Sequence, residues 1–224
     1  MMKRGLEVLV AFEEGKPRNV PMGLVEYLPI ECAPEPVKGE DVAFVDCIWV
    51  IPQFWRRGVA KALMGTLIEE VEAERGVAVL AYEGDRWFGY FEYMSVRFFE
   101  RFGFREVDRD STRVLLHNKP EEAEHPHLLT PKSAPKYKER KCIIDILWNS
   151  QCPWSGWMVE LVKRNVKNHP NIILNIVNTN NRRVIEELGL SRGVFINGRP
   201  AIKRMAPWEE IRPILEQSLR ESSD

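Results

Sequence analysis

The stretch Trp49–Met64, WVIPQFWRRGVAKALM, decides how this chain is read. It opens as an apolar, β-branched run, the composition of a strand. It breaks at Pro52, passes through Arg56, Arg57 and Gly58, and enters a helix. From Val59 onward the apolar residues fall at Val59, Ala60, Leu63, Met64, Leu67, Ile68 and Val71, one face of a 3.6-residue period. Lys61, Thr66, Glu69, Glu70 and Glu72 take the other face. A strand, a basic turn with glycine and a helix start form an arrangement that binds phosphate. The first-turn N–H groups have no partner inside the helix, and the dipole end is positive. Gly58 lets a ligand approach the backbone, and Arg56, Arg57 and Lys61 add charge. The alternative is a basic surface turn ahead of an amphipathic helix.

Around this stretch the composition is that of a globular protein. The chain has 224 residues, of which 44% are hydrophobic and 29% charged, enough for one large or two modest domains. A net charge of -1 argues against general binding to nucleic acid or to anionic membranes. No apolar run is long enough to cross a membrane. The four cysteines, Cys32, Cys47, Cys142 and Cys152, form neither a CxxC pair nor a zinc-like cluster, so no metal site is expected. A reducing, cytoplasmic location is the default expectation.

Before the central stretch, Leu6–Phe12 and Met22–Leu28 read as an antiparallel hairpin, and Pro29–Gly39 as a proline-rich loop. Asp41–Ile51 is the strand entering the turn. The helix is expected to end near Arg75, with Gly76 as its stop. Val77–Tyr82 reads as a buried strand and Glu83–Tyr90 as a loop. A helix reaching about Phe102 and strands near Phe104–Val107 and Arg113–Leu116 complete the first half.

"RFFERFGFREV" (Arg97–Val107) carries a second signature. Together with Val50, Pro52, Gly58 and Ala60, the residues Phe98, Phe99, Glu100, Arg101, Phe102, Gly103 and Phe104 resemble the two motifs of the GNAT superfamily of acetyl-CoA-dependent N-acetyltransferases. The likeness covers roughly residues 20–117. It implies an α/β (α+β) fold with a mixed, mostly antiparallel sheet, and acetyl-CoA or CoA as co-substrate. It implies that Ile48, Trp49 and Val50 pair with the pantetheine arm and that Arg56, Arg57, Gly58, Val59, Ala60 and Lys61 hold the pyrophosphate. The acceptor is an amine, on a small molecule or a peptide. Trp55 departs from the family's Arg or Gln, and Phe99 from the Tyr that serves many members as general acid. The short start lacks the helices that form the acceptor wall. That wall then falls to a partner subunit, as in a homodimer, or to the second half of the chain. Alternation along the strand puts Asp46, Ile48 and Val50 on one face. Asp46 is the only carboxylate in the strand interior and the candidate base; a structural Asp at a strand edge is the alternative.

Residues 119–140, with Pro120, Pro126, Pro131 and Pro135, read as a linker between a domain over 1–118 and another over 141–224. From Cys142 the order is βαβαββα, with a hairpin at Asn197-Gly198 suited to a type I′ turn. "SQCPWSGWMVE" and "VFINGR" resemble the thioredoxin fold, with Cys152, Pro153, Trp154 and Ser155 as a C-x-x-S version of its active site. A helix-start thiol has a lowered pKa, so Cys152 is the second candidate catalytic residue, against a quietly packed cysteine. Ser155 excludes an internal disulfide, and Arg192 stands near the family's cis-proline. The two halves together resemble the YoaP-type two-domain acetyltransferases. Two further readings stay open: a thiol-dependent redox or thiol-carrier protein using Cys152, and a catalytically silent sensor.

Overall fold

The computed structural model describes residues 5–15, 18–71, 76–83, 86–87, 91–119, 125–135 and 141–221. The chain divides into two units: unit 1 comprises residues 1–33, 37–85 and 92–128, and unit 2 comprises 34–36, 86–91 and 129–224.

Unit 1 is built on a six-stranded sheet. Its strands are β1 (Glu7–Glu13), β2 (Val20–Pro29), β4 (Ala43–Val50), β5 (Val77–Tyr82), β8 (Arg105–Asp110) and β9 (Arg113–His117), in the order β1-β2-β4-β5-β9-β8. Every pairing is antiparallel except β4 with β5. The mixed, mostly antiparallel sheet expected from the sequence is present. β1 passes to β2 through residues 14–19. Two short pairs are separate from this sheet: β3 (Val37–Lys38) antiparallel to β10 (His127–Leu128), and β6 (Arg86–Trp87) with β7 (Phe91–Glu92).

Helices α1 (Val59–Glu70) and α2 (Val96–Glu100) contribute Leu63, Met64, Leu67 and Phe99 to a core with Val45, Val79, Val114 and Leu116. Phe44, Ala78, Leu80 and Leu115 point to the other face and pack with Leu28, Ile30, Val37 and Leu128. β5 thus feeds two cores by its period of two, which explains six consecutive buried residues. Each large apolar side chain buried there contributes about 1.5–3 kcal/mol. α1 ends at Glu70, where Val71 takes extended backbone. The expected end near Arg75 lies outside the described residues, as does most of the Glu83–Tyr90 loop. α2 stops at Glu100, two residues before the expected Phe102.

In unit 2 the strands β11 (Cys142–Trp148), β12 (Ile172–Asn178), β13 (Gly193–Ile196) and β14 (Arg199–Ile202) are ordered β12-β11-β13-β14. β12 is parallel to β11 and β13 antiparallel to it. Helices α3 (Pro153–Val166), α4 (Arg182–Leu188) and α5 (Trp208–Glu221) complete the βαβαββα order. Asn197 and Gly198 both have positive φ, 50° and 74°, as a type I′ turn demands. Gly189 ends α4 in left-handed backbone, and a Cβ there would lie 2.0 Å from the Thr130 carbonyl oxygen. The stretch read as a linker is bonded rather than open. His127 and Leu128 pair with β3, Lys132 N–H donates to Leu188 O at 2.9 Å, and Ala134 N–H to Gly198 O at 2.9 Å.

Candidate functional site: a forked parallel pair and a helix start

The parallel pair β4/β5 is short. It is in register at Ala43↔Val77, Phe44↔Ala78 and Val45↔Val79, and no further. β4 continues to Val50 along β2, while β5 continues to Tyr82 along β9. The sheet is therefore forked after Val45 and Val79. Ile51 N–H donates to Met22 O at 2.9 Å. Antiparallel pairs alternate between exchanging both hydrogen bonds and none. Counting back through the register, the backbone groups of Trp49 and Cys47 turn to β2, and those of Ile48 and Val50 turn to the fork. The backbone groups of Ile48 and Val50 thus face the gap, while those of Trp49 face Leu24 of β2. The indole Nε1–H of Trp55 reaches back to Val50 O at 2.7 Å.

A bulge interrupts β4 at Asp46: Tyr27 pairs with Val45 and Glu26 with Cys47, leaving Asp46 as the extra residue. The side-chain alternation changes parity across it. Ala43 and Val45 lie against the α1 core, and so do Ile48 and Val50. The reversal of parity falls between Val45 and Ile48, at the bulge that holds Asp46. Asp46 is buried at the first position past the fork. Nearby, Tyr93 Oη–H points to Cys47 Sγ at 3.6 Å, and its ring lies 6.2 Å from that of Tyr82. Phe99, by contrast, is wholly buried among Phe98 and Phe104 and offers the site nothing. Tyr93 was not singled out from the sequence. Its only signal is a tyrosine just ahead of an aromatic helix.

Beyond β4 the chain makes one 3-10 turn at Pro52–Phe54 and reaches Gly58 in left-handed backbone, φ 82°. A Cβ at Gly58 would meet no atom within 4 Å, so the turn faces open space. The first helical hydrogen bond runs from Ala62 N–H to Gly58 O at 3.0 Å. The N–H groups of Val59, Ala60 and Lys61 precede it and carry the positive end of the α1 dipole. Arg56 and Lys61 are exposed beside them. Arg57 is turned elsewhere, to Glu13 at 2.5 Å and over the Phe54 ring at 5.2 Å. A cavity of about 610 Å³ bordered by Glu7, Tyr27, Glu31 and Asp41 lies at the start of β4, away from the fork.

The other candidate, Cys152, belongs to unit 2. It is the N-cap of α3 and 8% exposed. Its N–H donates to Asn149 Oδ1 at 3.3 Å. Ser155 Oγ lies 2.7 Å from Asn149 O and 2.8 Å from Cys152 O, closing the helix start. Arg192 is buried and paired with Glu35, a residue the sequence reading passed over inside a loop. Among the described residues no cluster of His, Cys, Asp and Glu is arranged to hold a metal ion.

Unit 1 is thus an α/β unit in which a forked parallel pair leads into a glycine turn and a bare helix start. Residues 2–104 match the profile of the acetyltransferase (GNAT) family. This part of the chain is similar to the GNAT acetyltransferases, a family that uses acetyl-CoA. Similar solved structures each cover 50% of the chain. A GNAT-family acetyltransferase from Desulfovibrio desulfuricans shares 19% identity over 67% of its own chain, with a TM-score of 0.38. The PaiA N-acetyltransferase from Thermoplasma acidophilum, in complex with coenzyme A, shares 13% over 60%, with a TM-score of 0.34. Arabidopsis thaliana NAA60, in complex with a bisubstrate analogue, shares 16% over 72%, with a TM-score of 0.35. No curated protein sequence matches the chain.

Proposed function

We propose that unit 1 transfers the acetyl group of acetyl-CoA to an amine, on a small molecule or a peptide, and does so at the fork. The observation that carries this reading is the parting of β4 from β5 after Val45, directly ahead of the Gly58 helix start. Ile48 and Val50 hold the pantetheine arm through backbone groups turned to the gap. The N–H groups of Val59, Ala60 and Lys61 hold the pyrophosphate, with Arg56 and the Lys61 side chain adding charge. Arg57 joins them only by leaving Glu13, an exposed pair of small worth. The Trp55 indole yields Val50 O to the arm as it enters. The thioester is the activated acyl donor. The chain's main contribution is to fix an amine beside it. Asp46, at the fork's apex, takes the proton the amine must lose. The thiolate leaving group has a parent pKa of about 8.5, so it departs with little help; Tyr93, against Cys47 of β4, stands where help is wanted.

Two measurements test this. Acetyl-CoA turnover with a panel of small amines and peptides is expected to give thiol release for some acceptors and none without. Calorimetry is expected to show CoA binding that Gly58→Glu abolishes and Gly58→Ala weakens far less. The alanine meets only left-handed strain of about 1–2 kcal/mol per residue, whereas the glutamate adds charge and bulk facing the phosphates. Unchanged CoA affinity in Gly58→Glu would sink the assignment.

For unit 2 we infer a thioredoxin-like module, on the order β12-β11-β13-β14 with Cys152 opening α3. The near-complete burial of Cys152, and of Ser155 with its two carbonyl contacts, supports a closed helix start over a redox thiol.

A further inference from the structure

Unit 2 contains three residues from far upstream, Pro34, Glu35 and Pro36, whose neighbours Ala33 and Val37 are counted with unit 1. All three carbonyls are bound. Pro34 O accepts from Asn149 Nδ2 at 3.5 Å, Glu35 O from Arg182 Nη1 at 2.6 Å, and Pro36 O from Leu129 N–H at 2.8 Å. The Glu35 carboxylate accepts from Ser191 Oγ–H at 2.8 Å and pairs with the Arg192 guanidinium. Ser191 is itself fixed by Thr179, whose hydroxyl donates to Ser191 O at 2.6 Å. Glu35, Asn149, Ser191 and Arg192 are all at least nine-tenths buried. Burial lowers Arg192 to about 10, which leaves it charged at neutral pH.

These donors form a built recognition site for a short acidic peptide. Prolines on both sides of Glu35 remove two N–H groups, so the segment presents mostly acceptors, and the surrounding groups present donors. The same Asn149 side chain that donates to Pro34 O accepts from Cys152 N–H. The segment and the cysteine are thus joined through one buried amide.

We propose that Pro34–Pro36 is a built-in peptide ligand of unit 2 that keeps its cysteine end shut, and that its departure uncovers the Cys152 thiol. The lock is the Glu35–Arg192 pair. Removing one charge leaves the other buried without its counter-ion, the costly way to break such a pair.

Alkylation of the full-length protein with iodoacetamide at near-neutral pH, followed by mass spectrometry of each cysteine, tests this. In the unaltered chain Cys152 reacts slowly compared with the same thiol in denaturant. In Glu35→Gln its rate rises by about 10-fold or more, while Cys142, buried in β11, stays unreactive and reports that the sheet is intact. An unchanged Cys152 rate overturns the proposal, and so does a rise shared equally by Cys142. Hydrogen exchange on the unaltered chain decides the matter if the variant does not fold. The Leu129 amide, held by Pro36 O, is expected to exchange well before the amides of Ile144 and Ile146. Exchange of all three at one slow rate would make the segment part of the permanent core.

Discussion

In the proposed acetyl transfer, Asp46 is the residue that takes the proton of the amine. It is an aspartate at a bulge, buried, one step past the point where two parallel strands part. Asp46→Asn is expected to keep CoA affinity, because no phosphate or pantetheine contact is altered, and to lower turnover by about 10²-fold, the scale of lost general-base help. Normal turnover across the pH range in that variant would assign the proton to a water chain. Cys142 makes a different prediction. Burial raises its thiol to about 11. A raised pKa means that the folded chain holds the proton more tightly than the unfolded one. The resulting stability is whole below the ordinary thiol value of about 8.5 and declines as pH climbs through the folded value. Chemical denaturation should show wild type and Cys142→Val running parallel below that range and converging above it. Of these residues, Gly58 and Asp46 were legible as types at a spacing. The bulge was not, since nothing in the sequence from Val45 to Ile48 marks an extra residue. Nor was Glu35, whose carboxylate finds partners more than 150 positions away and whose own neighbourhood reads as a proline-rich loop.

At the scale of elements the sequence was more open. Periodicity marked α1, α3 and the strands to within a few residues, because their burial follows the period of a helix or a strand. Within 119–140 the periodic signal stops for a physical reason: a two-residue strand and isolated backbone bonds leave no periodic trace. α5 carries its own oddity, an exposed proline at position 213 inside the helix. Its first intrahelical bond joins Ile211 N–H to Pro207 O, so a residue at 213 would bond Glu209 O. Pro213 has no N–H to give, and its ring crowds that carbonyl. Pro213→Ala is therefore expected to stabilise unit 2 by about 1–3 kcal/mol, seen as a higher midpoint in thermal or urea denaturation. A lower midpoint would mean that the proline relieves strain in the helix.

At the scale of the whole molecule, the proposed co-substrate site and Cys152 belong to different units. Saturating CoA, at about 100 times its Kd, stabilises whatever binds it by about 2.7 kcal/mol. Hydrogen exchange with and without CoA is expected to show added protection at β4 and β5 and little at β11. Equal protection at β11 would show that the two units open together. The Glu35 contacts also set an order of events during synthesis. Glu35 and Ser191 are 156 residues apart in the chain. At about 5–20 residues per second, the ribosome needs roughly 8–31 s to make that length. Throughout that interval Glu35 has emerged but its binding residues do not yet exist. A nascent chain halted before Ser191 would carry a finished acetyltransferase profile and a carboxylate still in water. The proposed closing of unit 2 over its cysteine is thus among the last steps of maturation, and a chain truncated before Ser191 would never take it.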